Sequence, residues 1–165
     1  MAIAVDGIAN FVIDHVEGVD ADAVLENANA YIAELEDLDA EIGELVEALP
    51  ADERILVTNH EVFGYFAEQY DFEVAGTVIP GLTTADNANG QQLAELAELI
   101  EHEGVAAIFA DTSSSNELAD TLASEVGDIQ VVELFSESLG DADSDGATYI
   151  EMVRSNATRI VDALS

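Results

Sequence analysis

Lysine, cysteine and tryptophan are absent from this chain of 165 residues, and three arginines stand against 36 aspartates and glutamates, a formal net charge of −33. Without cysteine there is no disulfide scaffold, no thiol nucleophile and no Cys-ligated metal site. Three arginines cannot build the basic patch that phosphates require, so nucleic acid is excluded as a partner and an anionic membrane surface is disfavoured. No apolar run approaches the roughly 20 residues of a membrane span. The N-terminus lacks a basic segment followed by an apolar one, so no signal peptide is expected in this chain.

Strong negative charge with low hydrophobicity would point to disorder. Here 49% of residues are apolar and their periodicity is pronounced, which indicates a folded domain under an acidic shell. Such a shell aids solubility but repels itself, most strongly at low salt. It reads as adaptation to high salt or as design. An acidic patch made for a cationic partner is the alternative.

Ile3, Val5, Ile8, Phe11, Val12 and Val16 predict a first helix ended by Gly18. Asp20 or Asp22 can cap a second helix over 21–49, whose stripe Val24, Ala28, Tyr31, Leu35, Leu38, Ile42, Leu45 and Leu49 alternates steps of four and three. Pro50 stops it. The texture then changes to short apolar strands alternating with helices. Strands are expected at 55–57, 74–79, 105–110 and 129–134. Helices are expected at 61–70, 91–102, from Asn116 as cap to Val126, and 148–164. The polar stretch 83–90 is expected as a loop. The fold class is therefore α/β: a four-stranded parallel sheet with helices on both faces, preceded by a long linking helix. The division is 1–50 for the two leading helices and 51–165 for the α/β lobe.

In such a sheet, ligands gather at the carboxyl ends of the strands. The first strand ends at Thr58-Asn59-His60, the third at Asp111, the fourth at Phe135-Ser136-Glu137. One imidazole and two carboxylates thus project towards one edge, and these are ligand types for a divalent transition metal. Equally, polar residues at strand ends serve as caps or solvated loops. His102, at a helix C-terminus, and His15, on the first helix, read as structural or solvated. Asp141, Asp143 and Asp145 before Gly146 match the first half of a calcium loop, but the twelfth position holds Met152 and Glu151 falls one residue early. A solvated acidic loop and a weak calcium site both fit. Asn156-Ala-Thr158 is a glycosylation triplet inside an expected helix. No Gly-rich phosphate loop and no GxSxG elbow is present, and Ser113-Ser114-Ser115 has no nearby histidine, so no enzyme motif is found.

The segment Leu56-Val57-Thr58-Asn59-His60-Glu61-Val62-Phe63-Gly64-Tyr65-Phe66, with Tyr70, resembles a signature stretch of the zinc and manganese substrate-binding proteins of ABC transporters, the cluster A-I or ZnuA/TroA-like family. The likeness continues through Val78 to Thr84 and Ile108 to Asp111, and ends in Tyr149-Ile150-Glu151-Met152-Val153-Arg154-Ser155-Asn156. The resemblance implies a two-lobed receptor in which a rigid helix joins the lobes and the metal binds between them. This chain matches the linking helix and the C-terminal lobe; the N-terminal lobe, which brings two histidine ligands, is missing from the match. His60 fits the ligand position after the first strand and suggests zinc, with manganese the alternative. Glu137 stands where the family usually has Asp and reaches one methylene further. Asp111, where the family often has Glu, is expected behind the ligands or in a structural role, with Asn59 beside it. An ABC permease, a homodimer or the missing lobe are the implied partners, outside the cytoplasmic membrane. The function expected is a metal receptor lobe without catalysis; the alternative is a structural lobe without useful metal binding.

Overall fold

The structure is a computed structural model that describes residues 1–79, 90–113, 115–127 and 129–165. Six α-helices and four strands are found among these residues. Two compact units, Met1–Glu44 and Leu45–Ser165, divide the chain.

The first unit holds α1 (Ala2–His15) and most of α2 (Ala21–Glu47). Gly18, at φ 82°, makes the turn between them, a conformation that L side chains rarely adopt. The α2 N-terminus is capped by Asp20, whose Oδ1 accepts from Ala23 N at 3.2 Å; the free amides of a helix start favour such an anionic acceptor. Every stripe residue from Val24 to Leu49 is buried or half-buried, while Glu26, Glu34, Glu36, Asp37, Asp39, Glu41, Glu44 and Glu47 are exposed. The alternating step of three and four thus separates apolar from acidic residues as expected. On α1 the pattern is different. Ile3, Ile8 and Phe11 are exposed and the buried residue is Ala9.

In the second unit, Arg54 closes the C-terminus of α2. Its Nε and Nη2 donate to Leu49 O at 3.2 and 3.1 Å, where the helix dipole favours a cation. The sheet follows: β1 (Ile55–Thr58), β2 (Glu73–Thr77), β3 (Ala107–Asp111) and β4 (Gln130–Leu134). The strand order is β2-β1-β3-β4 and every pairing is parallel. This is the expected doubly covered parallel sheet, and chain order reverses direction between β1 and β3.

The helices are α3 (Gly64–Tyr70), α4 (Gly90–Glu103), α5 (Glu117–Val126) and α6 (Tyr149–Leu164). The α4 and α5 helices pack on each other and on the sheet, where Leu96, Ile100, Ala119 and Leu122 meet Val57, Ile108 and Ala110. The α6 helix packs against β3 and β4. All five residues of β3 are buried, so both faces of this central strand are covered. Burial of Ile108 and Phe109 alone contributes about 1.5–3 kcal/mol each. Gly76 of β2 admits α4: a Cβ there would lie 2.6 Å from Leu96 Cδ1.

Differences from the expected elements have local causes. The α3 helix begins at Gly64, not Glu61, because Val62 N bonds back to His60 O at 3.0 Å in a separate turn; Val62 is consequently exposed. β2 ends at Thr77, although Val78 N and Ile79 N still donate to Thr58 O and Asn59 O, each at 2.9 Å. Asn116 occupies the N-cap position of α5 without a capping side-chain bond; its Nδ2 instead donates to Glu133 Oε1 at 2.8 Å. The expected loop at 83–90 lies, up to residue 89, outside the described residues, as does Ser114.

Candidate metal centre

The reversal of chain order between β1 and β3 leaves their carboxyl ends side by side, the usual place for a ligand in an open parallel sheet. His60 follows β1 by two residues. Its backbone approach is fixed from both sides: Asn59 N donates to Phe109 O of β3 at 2.8 Å, and Asn59 O accepts from Ile79 N. Asn59 is buried by this pairing. Thr58 Oγ1 donates to His60 O at 3.0 Å, which closes the turn.

Asp111 is the last residue of β3, in register with Leu134 of β4. Its side chain is 2% exposed and that of His60 13%, with His60 Nε2 3.1 Å from Asp111 Oδ2. The same Oδ2 accepts from Ser136 Oγ, and Oδ1 accepts from Ser113 N. An ionised carboxylate is an acceptor only. In the neutral imidazole the contact therefore assigns the hydrogen to His60 Nε2 and the lone pair to Nδ1.

Ser136 and Glu137 lie in the segment after β4. Ser136 is half-buried and Glu137 is exposed. The structure thus joins His60 to Asp111, and places Glu137 one residue beyond the Asp111 partner Ser136. Among the described residues no three His, Cys, Asp or Glu side chains come together as a group able to hold an ion. Ser136 was not legible as a site residue, because its contact depends on the β3–β4 register, whereas Ser113 reaches Asp111 by a local turn two residues on.

The segment after β4 is held by α6. Asn156, 5% exposed, accepts from Phe135 N through Oδ1 at 2.9 Å and donates from Nδ2 to Phe135 O at 2.6 Å. This burial and pairing remove the Asn156 amide from any glycosylation role. Arg159 Nη1 donates to Glu133 O at 2.7 Å and its guanidinium carbon lies 5.0 Å from the Phe135 ring centroid. Arg159 Nη2 also meets Asp145 Oδ2 at 2.8 Å. The Ser155 hydroxyl, first, and then Arg159 hold the Asp145 carboxyl below its ordinary value of 3.8. Asp145, third acid of the calcium-like run, is therefore engaged with α6. Thr148 and Glu151 form a capping box that starts α6, so Glu151 too has a structural partner.

The other histidines stand apart. His102 Nδ1 lies 2.9 Å from Glu103 Oε1 and is exposed. The His15 ring stacks on Phe11 at 4.2 Å, with Nδ1 3.0 Å from Phe11 O.

Parallel sheet, switch point and a histidine beside a buried carboxylate describe this α/β lobe, and comparison with known proteins gives its family. The chain belongs to the ZnuA family, described as "Zinc-uptake complex component A periplasmic", which it matches over residues 1–163. It is similar to the zinc-binding protein TroA of Treponema pallidum, with 38% identity over 141 residues, covering 82% of this chain and 45% of that protein. The manganese-binding lipoprotein MntA of Bacillus subtilis is 31% identical over 149 residues, covering 87% of this chain and 48% of that one. The high-affinity zinc uptake system protein ZnuA of Bacillus subtilis is 31% identical over 140 residues, covering 84% and 43%. Among solved structures, the periplasmic zinc-binding protein TroA of Treponema pallidum superposes with a TM-score of 0.89 at 33% identity, covering 99% of this chain and 60% of that one. The chain spans about half the length of these curated relatives.

Proposed function

We propose that this chain is the C-terminal lobe and linking helix of an extracytoplasmic receptor for a divalent transition metal, serving an ABC permease and catalysing no reaction. Residues 51–165 form the receptor lobe and 1–50 the linking part. The observation that carries the reading is His60, held by the buried carboxylate of Asp111 at the switch point of a sheet that belongs to this family. His60 and Glu137 are the proposed ligands. Asp111 orients the imidazole, as a carboxylate commonly does for a metal-binding histidine, and Asn59 fixes the backbone beside it. An imidazole donor favours zinc over manganese, and relatives named for both ions support a site of this general type.

Zinc takes four ligands, with N and O donors at about 2.0–2.2 Å. With two protein ligands, water completes the shell and binding is weak. In a complete receptor a second lobe, or a second copy of this chain, replaces that water, and the exposed Ile3, Ile8 and Phe11 of α1 are the apolar surface such a partner would cover. Light scattering at molar salt tests the second copy: a strictly monomeric species at high protein concentration removes it.

The test of function is zinc titration by chelator competition at fixed molar salt, which screens the 36 carboxylates. His60→Ala is expected to abolish the specific component. Unchanged zinc binding in that variant refutes the receptor reading. The alternative, a structural lobe without useful binding, is favoured by the absence of a three-ligand group among the described residues, and predicts no His60-dependent component at any zinc concentration.

A further inference from the structure

We infer that Asn156 is a positioning residue for the metal site, acting through the segment Ser136–Glu137; the metal part of this inference rests on the receptor reading above. Three side chains, making four bonds, tie the α6 edge to β4 and its extension. Gln130 Nε2 donates to Ala163 O at 3.2 Å, Arg159 Nη1 to Glu133 O, and Asn156 pairs with both main-chain groups of Phe135. Only the last lies beyond the strand. On the other side, pairing with β3 among the described residues reaches Thr112 N, which donates to Leu134 O at 3.0 Å. Phe135 has therefore left the sheet, yet its amide and carbonyl are buried polar groups that require partners. The Asn156 carboxamide supplies both, as a neighbouring strand would.

The next two residues are the ones that matter at the site. Ser136 bonds Asp111, and Glu137 is the proposed ligand. The direction in which they leave the sheet is set at the Phe135 peptide groups. The ring of Phe135 fixes the rest of the segment. A Cβ on Gly140 would lie 2.9 Å from Phe135 Cε1, and one on Gly146 would lie 2.7 Å from its Cε2 and Cζ. Gly140 N also donates to Gly146 O at 2.9 Å. The chain from 136 to 146 is thus folded over the Phe135 ring, with Arg159 and Asp145 closing the far side. Asn156 sets the start of this segment and Arg159 its return.

Two measurements on the full chain at molar salt test this. The first needs no metal: amide hydrogen exchange at Phe135 and Gly140, whose amides donate to Asn156 Oδ1 and Gly146 O. Asn156→Asp keeps the acceptor for Phe135 N but loses the donor to Phe135 O. It is expected to speed exchange at these two amides by about 10-fold or more, while Ile108 and Phe109 in β3 keep their protection. Unchanged exchange at Phe135 and Gly140 overturns the inference. Should Asn156→Asp fail to fold, Arg159→Gln loosens the same segment from its return and is expected to speed the same two amides. The second measurement is a double-mutant cycle in zinc affinity with Glu137→Gln. Asn156→Asp should weaken zinc about 10-fold alone and less than about 2-fold when Glu137 is already Gln. An equal loss in both backgrounds is the mark of general destabilisation and overturns the positioning role at the metal site. His60→Ala, run alongside, reports on the receptor reading itself. If it leaves zinc unchanged, that reading fails, and the positioning of Ser136 and Glu137 stands or falls on amide exchange.

Discussion

Replacing Asp111 by Asn changes one atom of the site and inverts its hydrogen-bond logic. The wild-type carboxylate accepts from His60 Nε2, the Ser136 hydroxyl and Ser113 N. A carboxamide has one accepting oxygen and one donating nitrogen. If the oxygen stays on Ser113 N, the new NH2 faces His60 and Ser136. Ser136 can rotate its hydroxyl, and His60 can accept at Nε2 by moving its hydrogen to Nδ1. If the amide turns the other way, Ser113 N faces a donor and loses its bond. Bonds to a charged partner are worth about 1.5–3 kcal/mol each, but these adjustments recover part of that. A net loss of about 1–3 kcal/mol is expected, seen as a fall in thermal midpoint of about 2–4 °C per kcal/mol for a chain of this size. The sharper readout is the imidazole itself. Nitrogen-15 shifts of the His60 ring should show the hydrogen on Nε2 in the wild type and on Nδ1 in Asp111→Asn. Zinc affinity should fall about 10- to 100-fold, as for lost outer partners of metal-binding histidines. If the ring shifts and the zinc affinity are both unchanged, Asp111 does not orient His60 and the argument fails.

The acidic shell predicts that the thermal midpoint rises steadily from about 10 mM to 1 M salt, as the screening length falls from about 30 to 3 Å; a flat midpoint by scanning calorimetry would contradict it. Gly146→Ala pushes a methyl into the Phe135 ring at 2.7 Å, and should cost about 1–3 kcal/mol in chemical denaturation, whereas a neutral substitution would show that the 136–146 segment can move off the ring. The lowered Asp145 carboxyl contributes stability present above its ordinary value of 3.8 and lost as pH falls through its lower folded value. Because this group is exposed, the contribution is at most about 1 kcal/mol; Asp145→Asn should remove it at neutral pH and leave stability unchanged below that window.

The sheet, the helices and the long α2 stripe were legible because each rests on a period within a short window of sequence. Gly104 and Gly127, which follow the helices expected at 91–102 and up to Val126, adopt φ 67° and 121°. Side-chain partners across the sheet were less legible. Asn116 looked like a cap, but the β4 strand brings Glu133 within its reach, and no local rule contains that contact. Asp111 and Ser136 are 25 residues apart and meet only because β3 and β4 pair with Asp111 opposite Leu134. Asn156 read as part of a glycosylation triplet and of a family segment; its pairing with Phe135 requires the docking of α6. The positions of His60 and Asp111 at one edge were legible from the strand-end rule, whereas which of the two expected carboxylates meets His60 was decided by register.

Arg54 and Arg159, two of only three arginines in the chain, are committed to main-chain carbonyls at the end of α2 and along β4. Positive charge is thus used as internal fastening, and the acidic exterior must draw its counter-ions from the surrounding medium. Such a surface behaves as a cation exchanger, wearing an atmosphere of condensed ions much as a nucleic acid does. Divalent ions enter that atmosphere in preference to monovalent ones, so the sheet edge faces a reservoir already enriched in the class of ion proposed for it. Changing the medium therefore acts twice: it alters how much of that reservoir is sodium or potassium, and it alters how firmly the lobe beneath it is folded.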